Sequence, residues 1–104
     1  YYATAMISVS NMMRHLCGAD EKCAKEAIKG FVFRINPFYP EEVVVNLAEV
    51  MVDIVRQAPY ESVKGHAIAA LMNGTNKFYQ SCSSFQRVSG VCAAAISEIS
   101  KYRF

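Results

Sequence analysis

From Pro40 to Ala58 the chain reads PEEVVVNLAEVMVDIVRQA, and no other stretch limits the possible folds as much. Wound as a helix, Glu42, Asn46, Glu49, Asp53 and Arg56 fall on one narrow polar stripe. Nearly everything else as far as Val55 is apolar. At ~100° per residue the apolar arc spans roughly 220°, about twice that of an ordinary surface helix. Such a helix must be the centre of its fold, or bury a second face against something else. Val44, Leu47, Met51 and Val55 lie opposite the stripe and are expected core. Val45 and Val52 flank the stripe on one side, Val43 and Val50 on the other. A monomeric bundle has difficulty covering both flanks. One flank is therefore expected to meet a ligand or a second subunit.

Four further segments carry helical periodicity, which predicts an all-α bundle of about five amphipathic helices in a single domain, 1–104. The expected spans are about 2–17, 20–35, 40–57, 60–82 and 84–102. Gly18 follows the first as a left-handed C′ residue. Asp20 is a good N-cap for the second, and Asn36-Pro37 ends it. Pro40 is expected at the first helical position of the third, with Glu41 and Glu42 complementing the helix dipole. Ala58-Pro59 breaks the chain again. The fourth segment contains Asn73-Gly74, a turn signal that can split it. Ser84 is the expected cap of the fifth.

The net charge of +2 gives no electrostatic reason to expect a nucleic-acid partner. No run of ~18 apolar residues predicts a transmembrane span. The chain opens on Tyr1-Tyr2 rather than Met, as expected of a processed chain or a piece of a longer one.

Four cysteines, Cys17, Cys23, Cys82 and Cys92, in a short chain without a CxxC pair favour two disulfides and an oxidising, extracellular setting. Asn73-Gly74-Thr75 is an N-glycosylation sequon, which fits that setting. Loop-closure entropy favours pairings between the first and last helical hairpins by about 2 kcal/mol per bridge. Geometry favours the local set, Cys17–Cys23 with Cys82–Cys92, because Cys17 and Cys23 flank a tight turn. Cys82–Cys92 requires the fourth helix to run past its turn. On the helical wheel Asn73 shares a polar side with His66, Asn76, Lys77 and Gln80, so an exposed side chain is expected.

No metal site is expected: His15, Cys17, Cys23 and His66 lack the paired spacing of zinc ligands. Nor is any catalytic residue or cofactor. Nucleophile-elbow, P-loop, dinucleotide and zinc-protease motifs are all missing from the sequence. His15 and His66 fall toward polar faces. Lys22, Lys25 and Lys29 form a basic stripe interrupted by Glu21 and Glu26, read as a solvated face. Methionine fills irregular cores and also lines adaptable grooves. The format is similar to insect odorant-binding and chemosensory proteins, whose cysteine spacings differ from the C-x5-C and C-x9-C here. It is also similar to the dimerising terminal domains of silk proteins. No motif carries a residue over from either. The expected function is a secreted, non-enzymatic binding module that carries a small hydrophobic ligand in an apolar cavity. The alternative is a self-associating or protein-interaction domain of a larger extracellular, for example fibre-forming, protein. In either version the expected contact residues are Val43, Val45, Val50, Met51, Val52 and Met72.

Overall fold

The computed structural model describes residues 16–104. Their elements are α1 (Glu21–Phe31), a 3₁₀ turn (Val32–Arg34), α2 (Glu41–Gln57), α3 (Glu61–Met72), two 3₁₀ turns (Asn73–Thr75 and Lys77–Tyr79) and α4 (Phe85–Ser100). No strand occurs among the described residues, so the expected all-α class holds for them. They hold four of the five expected helices. The first segment lies outside them apart from Leu16 and Cys17, which are helical. The expectations for Met6, Met12, Met13 and His15 lie outside them too. No described helix is long and apolar enough to cross a membrane.

Local chemistry accounts for most boundaries. Gly18 takes φ +54°, the left-handed turn its position predicts. Asp20 then caps α1, its carboxylate accepting from the Cys23 amide at 2.7 Å. The Cys17–Cys23 disulfide closes this turn with a Cα separation of 5.3 Å. Asn36, buried, holds the next turn from both ends: its amide donates to the Phe33 carbonyl and its Oδ1 accepts from the Phe38 amide at 2.8 Å. Pro40 sits one position earlier than expected, as the cap of α2 rather than its first residue, and its carbonyl accepts from Val43 and Val44. Ser84 occupies the cap position of α4, but its hydroxyl donates across the fold to the Pro37 carbonyl at 2.8 Å instead of capping.

α2 is the centre. Val43, Val44, Leu47, Val50, Met51 and Val55 are completely buried, and Ile54 nearly so. α4 and α3 both pack on α2; α4 buries Val88, Cys92, Ala95 and Ile99, and α3 buries Val63, Ala67, Ala70 and Leu71. α1 packs mainly on α3 through Ala24, Ala27 and Ile28. The polar stripe is functional as an anchor: Arg56 donates to the Tyr102 hydroxyl at 2.6 Å and pairs with Glu98 at 3.4 Å. These groups are exposed, so the pair itself contributes little. Asn46 in the same stripe is half-buried, and its Oδ1 has no hydrogen-bond partner among the described residues. Such an orphan costs about 1–3 kcal/mol, which the apolar burial of α2 must offset.

Two expectations need correction. The fourth helix ends at Met72, ten residues short of Cys82, because Asn73-Gly74-Thr75 turns as a 3₁₀ segment. The Thr75 hydroxyl stabilises that turn by donating to the Met72 carbonyl at 2.9 Å. The second disulfide is consequently missing: Cys82 and Cys92 are free thiols. Cys82 is half-buried in the turn before α4. Cys92 lies two turns into α4, fully buried, with its sulfur against Gly74. A Cβ on Gly74 would overlap that sulfur, so glycine is required there for close approach.

Gly74→Ala should therefore cost about 1–3 kcal/mol of stability in denaturant titrations. Cys92→Ala in that background should recover part of the loss; simply additive losses would show that the two do not touch. Burial also pushes the Cys92 thiol up to about 11 from its ordinary 9.0. The unfolded thiol ionises first as pH rises, so stability should be unaffected by this group below pH 9 and fall between pH 9 and about 11. That slope should shrink in Cys92→Ala, and an unchanged slope would assign it to other groups.

Candidate functional site

Where α1 and α3 diverge, the described surface carries a groove of about 340 Å³. Ile28 and Val32 form one wall, Gly65, Ala69 and Ala70 the other, and Lys29 and His66 stand at its edge. The two helices are held together at one end by the Ser62 hydroxyl, which donates to Glu21 at 2.5 Å. At the other end Asn73 Nδ2 faces the carbonyls of Val32 and Ile35 at 3.3 and 3.4 Å. Past Val32 and Ala69 a second hollow of about 420 Å³ lies along Met72, Asn73 and Thr75.

 The two hollows share Val32 and Ala69, so they adjoin as an open channel beside α3.

Small side chains make this space. Gly65 lies in the interior of α3, where glycine costs about 1 kcal/mol relative to alanine. A Cβ built there meets nothing within 4 Å, so no packing partner in the described chain requires the glycine. Its absent side chain leaves the groove open. The ring of His66 is half-buried, and its Nδ1 donates to the Ser62 carbonyl at 2.8 Å, which leaves Nε2 turned away from that bond. Among the described residues Lys29 pairs with exposed Glu26, at 3.4 Å, a contact of little strength. The groove thus has apolar walls and basic residues at one edge.

A second feature lies at the end of the molecule where the turns 32–39 and 72–79 run side by side. Phe33, Phe38 and Phe78 are 78, 71 and 79% exposed, and Met72 is 57% exposed. Phe38 and Phe78 each meet Tyr79 edge to face, at 5.2 and 5.3 Å.

The contact residues expected from sequence fall in three places. Val43, Val50 and Met51 are fully buried in the core. Val45 and Val52 are half-buried, and Val52 packs against the core. Met72 is exposed and lines the channel. Sequence reasoning missed Gly65, Ala69 and the basic edge. Gly65 within a helical run was the available signal. The disulfide takes up Cys17 and Cys23, and among the described residues no cluster of three or more His, Cys, Asp or Glu side chains is placed to hold a metal ion.

Asn73 departs from the expected exposed site. It is half-buried, because the end of α3 at Met72 brings it beneath the turn at Val32–Ile35. The nitrogen that would carry a glycan is the one directed at those carbonyls. Asn73→Ala should cost about 1–2 kcal/mol in thermal or denaturant unfolding, the loss of a part-buried hydrogen-bonding group. A change within about 0.5 kcal/mol would mark an ordinary surface position. No protein-family model, no curated protein and no solved structure matches this chain.

Proposed function

We propose that this chain is a secreted, non-enzymatic binding module that carries a small hydrophobic ligand, seated in the channel between α1 and α3. The observation that carries this reading is the groove at Gly65: about 340 Å³, walled by apolar side chains and opened by a glycine that no contact with the described residues requires. Its size lies within the range of small-molecule sites. The secreted setting is supported by the Cys17–Cys23 bridge, since disulfides persist in oxidising compartments. The second reading, self-association or assembly with another protein, is favoured by the exposed aromatic end at Phe33, Phe38 and Phe78. Aromatic side chains of that exposure are enriched at protein interfaces.

Titration with the neutral apolar fluorophore phenylnaphthylamine, with molecular mass followed by light scattering, separates the two. The carrier reading expects saturable binding by a monomer, lost in Gly65→Leu. The assembly reading expects a dimer that Phe38→Ser with Phe78→Ser dissociates. A monomer that takes up no probe would contradict both.

A further inference from the structure

Resting on the carrier reading, we infer that the groove takes an anionic amphiphile, an alkyl carboxylate, with its tail along α3 and its head at Lys29. The polarity of the channel decides the direction. At the Met72 end its polar groups are already engaged: Asn73 Nδ2 with two backbone carbonyls, the Thr75 hydroxyl with Met72, and Asn76 Oδ1 with the Phe78 amide. At the Gly65 end Lys29 keeps donors to offer, because its ammonium meets one exposed partner among the described residues, Glu26.

The charges around that edge favour an anion. Lys25 lies one turn before Lys29 on the same side of α1, half-buried. Of the nearby carboxylates, Glu21 is held by Ser62, and Glu26 is the weak partner that a ligand carboxylate would displace. A carboxylate meeting Lys29 gains a charge-assisted hydrogen bond, stronger than a neutral one. A neutral alcohol can accept from the same ammonium but lacks the opposite charge, so its bond is weaker. From Gly65 to Met72 the helix rises about 10 Å, room for the tail of a medium-chain acyl group. The exposed side of Ala69 midway keeps this path free of bulk.

The test compares dodecanoate with dodecanol by displacement of phenylnaphthylamine from the whole chain. Dodecanoate should bind about tenfold or more tightly, a difference of about 1.4 kcal/mol. Lys29→Gln should bring the two ligands together, whereas Lys101→Gln at a distant surface site should not. Gly65→Leu, which improves helix propensity and so preserves α3, should abolish binding of both. Equal affinities in the parent protein, both lost in Gly65→Leu, would overturn the anionic head while leaving the carrier reading intact. A carboxylate preference that survives Lys29→Gln would place the head elsewhere and overturn the inference. Binding of neither ligand would overturn it together with the carrier reading.

Discussion

Burial of α2 around most of its circumference is the constraint from which the rest of the structure follows. Seven of its large apolar side chains lose essentially all contact with water. Each such side chain contributes on the order of 1.5–3 kcal/mol on burial, so no arrangement that left one flank bare would compete. Covering a wide apolar arc requires neighbours on several sides, and neighbours approach closely only where their own side chains are small. α3 and α4 bury small side chains, among them Ala67, Ala70, Cys92 and Ala95, as close packing requires. Val43 and Val50 on one flank are fully enclosed, while Val45 and Val52 on the other are half-buried. The asymmetry of the two flanks is real, but the described chain covers more of α2 than its wheel alone implies.

The second layer of the fold depends on turn chemistry rather than on burial. Asn36 folds its own turn, Asn73 reaches beneath it, and the Cys92 sulfur fills the space over Gly74. Ser84 adds a bond from the start of α4 to Pro37. These contacts bring the turn after α1 against the turn after α3. They set the separation of α1 and α3, and so the width of the groove between them. The same turns raise Phe33, Phe38 and Phe78 into solvent. The core thus supplies rigidity, and the turns supply the surfaces on which binding is proposed.

The helix class, the caps at Gly18 and Asp20, the first disulfide and the core of α2 were legible in the sequence because each depends on neighbours within a turn or two. The extent of the fourth helix was legible only as an alternative, through the Asn73-Gly74 turn signal. Its periodicity continues through Phe78 and Cys82, but Asn73 finds better partners in the distant Val32–Ile35 turn, and Gly74 is needed by Cys92. Both contacts join residues far apart in the chain, and no local pattern reports them. With the helix stopped at Met72, the Cys82–Cys92 pairing lost the geometry it required. The groove was hidden for a different reason. α3 has almost no amphipathic contrast, with Gly65, Ala67, Ile68, Ala69 and Ala70 spread around it, so a helical wheel marks no distinctive face. A space made by missing side chains becomes visible only when the facing helix is in place.

Native-state hydrogen exchange tests the central claim most directly: that a rigid core built on α2 carries turns and a groove of lower local stability. The slowest amides should lie between Leu47 and Val55 and exchange only through global unfolding, while those of Val32–Arg34 and Asn73–Tyr79 open more easily. Exchange in α2 as fast as in those turns would contradict the account, because the helix on which the fold depends would then be opening on its own.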